Sequence, residues 1–412
     1  MQTHRSLAER VAQPDYSGNV MAAIHQLALA PDEARAVELL AAASDQMGTD
    51  AAAFVSFVRD DPSHESFRFL LACDPVWCLE YGVVVLVFPL ARVAFGALPA
   101  AGAPEWNESV ATFLDRLPLA YAATLPFCLL AGLTFAGAPL SGDAVALLGF
   151  GLSLWMTLLF GTCVAHELIH RRDKNQAMLG HVLAGICGYP ALGMEHLAHH
   201  ARPGDTRLAE YPLKVESVWA FAGRRMWRVV NELFGPTAPV WSPHAQMPSL
   251  VRTRTALLAT ALTWAIFGAI AGWSGVGLYL VMMMGVAFGI QLITYIQHWG
   301  LGDDSIPDRI AHGRGWEEDC RFQAWVTLSI SLHDEHHRDS RRSYYRLDLA
   351  PDSPRLPAGY VLLMFASLIP WVWRRVMTPA HQHWLARPES PLSAGRRLTC
   401  FGLHDLRAPT SR

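Results

Sequence analysis

Nine of the 18 histidines fall in four short stretches: His166-Glu-Leu-Ile-His170, Glu195-His196-Leu-Ala-His199-His200, Gln297-His298-Trp299-Gly300 and His333-Asp334-Glu335-His336-His337. In the first, two imidazoles stand at i and i+4, which share one face of an α-helix, so both can reach a single metal ion. Taken alone, H-E-x-x-H is also the zinc metalloprotease pattern, with the glutamate as general base. The count argues against one zinc, because a structural zinc takes four protein ligands and a catalytic zinc three. Nine imidazoles suit two metals at four or five ligands each. Imidazole serves iron, copper, nickel and zinc alike, so the element has to be inferred from the surroundings.

Those surroundings are apolar. Of 412 residues, 52% are hydrophobic and only 17% charged, with a mean hydropathy of +0.20, whereas soluble domains carry roughly 25% charged residues. Residues 117–137 and 144–165 contain no charge and are separated by a turn around Pro139-Leu140 and Gly142. Residues 255–297 are uncharged throughout and divide at Gly272–Gly277. Each stretch is near or above the ~20 residues that cross ~30 Å of hydrocarbon, which predicts two transmembrane hairpins. The stretch 171–254 between them holds eleven Lys or Arg, and the turns at 138–143 and 272–276 hold none. By the positive-inside rule the basic stretch is cytoplasmic. Both hairpins return to that side, so all four histidine stretches emerge at one membrane face and can converge. A metal pair beside a transmembrane bundle suggests oxygen chemistry on a lipid-like molecule.

The expected fold is therefore an all-α integral membrane protein, a transmembrane helical bundle with a cytoplasmic histidine-rich cap and a small N-terminal α+β appendage. Residues 1–75 form the cytosolic appendage, 76–379 the membrane domain and 380–412 a C-terminal tail. Within the appendage, 19–44 predicts two short helices broken by Pro31, and 53–73 two strand-like runs around Asp61-Pro62. No apolar run follows Met1, so no signal peptide is expected. Residues 76–98, with Glu80, Pro89 and Arg92, predict a re-entrant or paired short helix. Residues 356–373, interrupted by Pro370 and ended by Arg374 and Arg375, predict an interfacial or partly inserted helix. A net charge of −3 excludes recruitment of nucleic acid by bulk charge. The seven cysteines form no C-x-x-C pair, which excludes a built-in rubredoxin-like module and gives no disulfide framework.

From about Asp115 to Pro379 the chain resembles the membrane-bound alkane hydroxylase (alkane 1-monooxygenase) family of the fatty acid desaturase superfamily. HELIHRRDK at 166–174 is similar to the family's first box, EHLAHH at 195–200 to its second, TYIQHWGL at 294–301 to the extra box after the last span, and HDEHH at 333–337 to its third. LPAGYVLLMFASLIPWVWRRVMTP at 356–379 resembles the segment that follows. Each box is weak singly; four in order, at membrane-consistent positions, are a strong signal. The resemblance implies that His166, His170, His196, His199, His200, His298, His333, His336 and His337 ligate two non-haem iron ions in a membrane di-iron oxygenase domain. It further implies O2-dependent hydroxylation of an unactivated, in the first place terminal, C–H bond of an alkane or alkyl-chain lipid. Electrons would come from a separate rubredoxin or ferredoxin and its NAD(P)H reductase, and the chain would lie in the cell inner membrane with its metal site facing the cytoplasm.

Two departures stand out. The extra box reads Q-H-W-G where the family usually has E-H-Y-G, and the second box, H-x-x-H-H, is one residue shorter than usual and looks like the desaturase branch. A fatty-acyl desaturase or related lipid oxidase is thus the alternative. A metal transporter predicts ionisable residues within the spans, and 255–297 has none; a haem anchor would place histidines inside the helices.

Glu167, Glu195, Asp334 and Glu335 are candidates to accept the second ring N–H of a ligand histidine, fixing its tautomer; charge balance beside arginines is the equal alternative. Trp155, Met156, Leu158, Phe160, Met282, Met283, Phe288 and Gln291 lie at depths suited to an apolar channel, with interhelical packing or lipid contact as the alternative. Arginine-rich stretches at 224–228, 338–346 and 374–375 suit an acidic electron donor or anionic lipid. His181 reads as a half-buried packing residue. His244, His381, His383 and His404 have no partner spacing, and His312 sits in a basic loop with Arg309 and Arg314.

Overall fold

The computed structural model describes residues 95–98, 105–135, 144–206, 211–236, 238–241, 248–302 and 314–386. The expectations for residues 1–75, for nearly all of 76–98, for the turn at 138–143 and for His244, His312 and His404 lie outside the described residues, as does most of the 380–412 tail. Among the described residues there are ten α-helices, two single-turn 3-10 helices and only isolated β-bridges.

Among the described residues, three helices are long and apolar enough to cross a membrane. The first two, α1 (Glu108–Phe135) and α2 (Ala144–Ile169), correspond to the first uncharged pair. The third, α6 (Pro248–His298), is 51 residues long and contains one residue with non-helical geometry, Gly272 at φ 60° and ψ −145°, a conformation essentially confined to glycine. In a straight helix, residues twelve apart would be about 18 Å apart. Here the Trp264 indole N–H donates to the Val276 carbonyl at 3.1 Å, and the rings of Phe267 and Tyr279 lie 4.9 Å apart. Thus α6 is a helical hairpin whose two arms meet at Gly272, as its composition requires. Trp273, at the turn, is 88% exposed.

The shorter helices carry the site. In α3 (Lys174–Ile186), Asp173 caps the start by accepting from the backbone N–H groups of Asn175 and Gln176. Its far end is fastened to α6, where Thr260 Oγ1 donates to Gly185 O at 2.8 Å and the Tyr279 hydroxyl to Ile186 O at 2.9 Å. There follow α4 (Leu192–Ala201), α5 (Val218–Phe234), α7 (Arg321–Val326), α8 (His333–Arg338), α9 (Tyr360–Leu368) and α10 (Pro370–Leu385). The predicted interruption falls at Ile369–Pro370: Ile369 leaves helical geometry, and Pro370 opens α10 where its missing N–H costs nothing.

Two apolar cores flank the cap. One joins α1 to α4 and α6 through Leu125, Leu133, Leu158, Leu168, Leu183 and Val286. The other, rich in aromatics, joins α5, the last turns of α6, α9 and α10 through Phe221, Tyr295, Trp299, Trp316, Trp373 and Trp384. In α5, Trp219, Trp227, Val230 and Phe234 are exposed on one face while Arg225 is 3% exposed on the other. The charged residue turned inward is the reverse of a soluble helix and fits a helix lying against lipid.

Candidate metal centre

The fold brings the four histidine stretches together from four elements. His166 lies in the last turn of α2 with His170 just beyond it; α4 carries His196, His199 and His200; α6 ends at His298; α8 carries His333, His336 and His337. Their ring nitrogens gather into two groups, His166, His170, His196, His200 and His336 in one, and His199, His298, His333 and His337 in the other.

Helical geometry explains the division. In α4, His196 and His200 at i and i+4 join the five-histidine group, and His199, one residue off that face, joins the four. In α8 the assignment is reversed, with His333 and His337 in the four-histidine group and His336 in the five. H-x-x-H-H on a short helix therefore serves two sites at once.

The four-histidine group is a closed ring of Nε2 atoms: His199–His298 2.9 Å, His298–His333 2.9 Å, His333–His337 3.1 Å and His337–His199 3.2 Å. A neutral imidazole has one N–H donor, so these four contacts cannot all be good hydrogen bonds. They are instead what four lone pairs facing one cation produce. The centre of a planar square of that edge lies about 2.1 Å from each corner, matching a metal–imidazole bond of ~2.0–2.1 Å. In the other group, Nε2 of His196 is 2.8 Å from both His170 and His200, and His200 is 3.0 Å from His336. His166 Nε2 is buried without a hydrogen-bond partner and completes the set. Both donor sets fit a bound metal.

Burial, then the neighbouring rings, push His196, His200, His333, His336 and His337 well below the usual 6.5. The neutral, metal-binding form is therefore favoured in the fold. An unfolded chain takes up these protons first, so this stabilising contribution is present above about pH 6.5 and lost below it. The melting temperature of metal-stripped protein in detergent is expected to fall between pH 7.5 and pH 5; a flat profile contradicts this picture.

The carboxylates singled out in the sequence hold the cradle rather than the rings. Glu167 pairs with Arg171 at 2.9 Å, and Arg171 also binds Asp115. Glu195 accepts from Arg225, the Tyr189 hydroxyl and Gln291 Nε2. Asp334 accepts from the backbone of Arg314 at 2.8 Å, Ser353 at 2.6 Å and Arg338 at 2.7 Å, while Glu335 pairs with Arg342 at 2.5 Å. Their partners are arginines, amides and hydroxyls. The second ring nitrogen of His298 donates instead to a backbone carbonyl, Arg314 O, at 2.7 Å.

That carbonyl belongs to a segment the sequence did not flag, Arg314-Gly-Trp-Glu-Glu318. It threads between the end of α6 and α8: Trp316 N donates to Gln297 O at 2.8 Å, and Glu318 N donates to Ser331 O at 3.0 Å. Glu317 is fully buried, accepts from the Glu335 N–H at 3.0 Å and pairs with Arg355 at 2.5 Å. Burial, with Asp334 nearby, pushes it up to about 8. Tyr211, also unflagged, stacks on His199 at 5.0 Å. No spacing signal marks either feature. His181 is wholly rather than half buried, His383 is exposed, and His381 is buried against the end of α6.

A small cavity opens on rings of both groups. Its apolar wall includes Cys163, Leu192, Ile290, Ile293 and Ile330, with Thr162, Thr294, Glu195 and Arg225 adding polar atoms. The eight residues expected along a channel are not in this wall. Gln291 binds Glu195, Phe288 stacks on Trp219 at 5.2 Å, and Met156, Leu158 and Met282 are core. The wall residues of α2 and α6 lie nearer the histidine ends of those helices. A roomier, more open groove between Trp106–Arg116 and Tyr345–Arg346 is lined by none of the nine histidines.

Comparison with known proteins agrees with this geometry. The fatty acid desaturase family matches residues 141–367, more than half of the chain, and the chain belongs to that family, in its alkane hydroxylase branch. It is 28% identical to alkane 1-monooxygenase 1 of Pseudomonas aeruginosa, over 83% of this chain and 90% of that one. It is 25% identical to alkane 1-monooxygenase of Ectopseudomonas oleovorans over 78% and 84%. Similarity extends to the xylene/toluene monooxygenase hydroxylase component XylM of Pseudomonas putida, 24% identical over 58% and 65%. The protein is thus a membrane oxidoreductase of the monooxygenase type with a histidine-rich site suited to metal.

Proposed function

We propose that the two histidine groups each hold one non-haem iron and that the protein hydroxylates an unactivated, terminal C–H bond of an alkane or alkyl-chain lipid. The observation that carries this is the pair of convergent imidazole sets opening on one largely apolar cavity. The overall balance is RH + O2 + two electrons + two protons giving ROH + H2O. The iron pair, when bound, supplies oxygen activation and hydrogen removal. The chain supplies placement. His166 and His196 of one set and His199, His298 and His333 of the other border the cavity, while Ile290, Ile293 and Ile330 exclude water and hold the alkyl end beside both.

The metal site faces the cytoplasm of the inner membrane in this proposal, and electrons arrive from a rubredoxin or ferredoxin with its NAD(P)H reductase. Arg346, Arg374 and Arg375 are exposed and suit contact with an acidic donor or lipid, whereas Arg338 and Arg342 are held in ion pairs. A desaturase is the second possibility, favoured by the short second box.

The test supplies purified protein in detergent or nanodiscs with iron, O2, a reductase–rubredoxin pair and either a medium-chain alkane or a fatty acid. A primary alcohol and about two irons per chain are expected. An alkene as the main product replaces hydroxylation by desaturation, and activity persisting without iron overturns the metal assignment.

A further inference from the structure

An α-helix leaves its last four carbonyls without intrahelical partners. At the end of α6, where His298 sits, the four successive carbonyls from Gln297 to Gly300 each have a donor. Gln297 O takes the Trp316 backbone N–H at 2.8 Å, His298 O the Leu301 N–H at 3.0 Å, and Trp299 O the Trp316 indole N–H at 2.8 Å. The next, Gly300 O, takes Nε2 of His381 at 2.7 Å, from α10 and 81 residues away. The first and third bonds come from the segment that also holds the His298 ring through Arg314, and the second is local, from Leu301. The fourth stands outside that segment.

His381 is built into this position. It is 0% exposed, and its ring lies 6.0 Å from Trp299, 6.5 Å from Trp316 and 6.3 Å from Trp384. A carbonyl only accepts, so Nε2 carries the proton in this bond. Gly300 turns the chain with φ at +74°, and a Cβ there would meet His381 Cδ2 at 3.0 Å. The ring and the glycine are pressed together, so the turn after His298 is clamped by packing and by a hydrogen bond at the same point.

We infer that His381 is a positioning residue for the four-histidine site: by holding Gly300 O it fixes the turn that aims His298 at His199, His333 and His337. It belongs to neither metal group. The inference rests on the two-metal proposal and goes beyond it, since it singles out one site of the pair.

The experiment uses the full-length protein in detergent, stripped of metal and titrated with Co(II), reading stoichiometry and the visible cobalt bands, with helix content followed by circular dichroism. The unsubstituted protein is expected to bind two cobalt ions. In His381→Phe the packing is kept and the donor lost, so one ion should still bind and the other about 10–100-fold more weakly, the scale for groups that orient a ligand. His381→Asn, whose amide falls short of the carbonyl, should behave the same way, and His381→Gln, whose amide can reach it, should regain most of the second site. Two ions bound normally by His381→Phe overturn this inference alone. Loss of both ions, or aggregation of both the Phe and Asn variants, assigns His381 to the fold at large and also overturns it. Fewer than two ions on the unsubstituted protein overturn both this inference and the two-metal proposal.

Discussion

Replacing His336 with alanine is expected to lower iron from two to about one per chain and to reduce product formation by more than about 100-fold. The 10–100-fold scale applies to groups that merely support a ligand, and His336 stands in the ligand set itself. Its Nε2 lies 3.0 Å from that of His200, and its ring lies 4.6 Å from that of His166, at the join between α8 and the helices carrying the first two boxes. His336 is the α8 histidine whose ring nitrogen joins the five-histidine group, while those of His333 and His337 join the other. Metal analysis and product quantification on the same preparation check this. Full activity in the variant, or two tightly bound irons, would refute the ligand assignment.

Arg225→Leu is expected to destabilise the protein by about 3–5 kcal/mol, the usual cost of removing one partner from a buried ion pair. Arg225 is 3% and Glu195 8% exposed, and the guanidinium meets the carboxylate directly. Without it, Glu195 keeps the Tyr189 hydroxyl and Gln291 but is left as an uncompensated buried charge. Because Glu195 precedes His196 on α4, the loss should also loosen the second box. Adding Glu195→Gln to Arg225→Leu should restore part of the stability, since the stranded charge is removed. Thermal unfolding of both variants, at equal lipid and iron, tests the pair. A loss below about 1 kcal/mol in the single variant would mean the pair is solvated.

The parts legible in the sequence are those with local causes. Uncharged runs give α1, α2 and α6 because each span must carry its own apolar surface, and the α6 hairpin is legible because Gly272 interrupts one long run. The histidine boxes are legible because i and i+4 are neighbours on any helix. The five-and-four division has a helical cause too: in H-x-x-H-H the middle histidine lies about 60° and about 100° around the helix from the outer two, which lets it serve a different group. It also shows what the short second box does, since i and i+4 deliver two rings to one site without the extra residue. The Arg314–Glu318 segment, Tyr211 and His381 were not legible. They act through backbone carbonyls, stacking and packing between residues far apart in the chain, and none has a distinctive neighbour in sequence. For the carboxylates the sequence leaves ring acceptance and charge balance beside arginines as equal readings, and the ion pairs favour the second. Adjacency on a helix turns them away from the rings, toward Arg171, Arg225, Arg338 and Arg342.

Under the two-iron proposal, α4 and α8 each give two rings to one ion and one ring to the other. Neither helix can be ordered for one site and left free at the other. The first ion to bind therefore bears the entropic cost of fixing both helices, and the second finds its ligands already placed, a positive coupling between sites without any contact between the ions. Iron should load cooperatively, with a sigmoidal titration. At half-equivalent iron the population should divide mainly between empty and doubly filled chains, so a cell short of iron would hold fewer complete enzymes rather than many half-built ones.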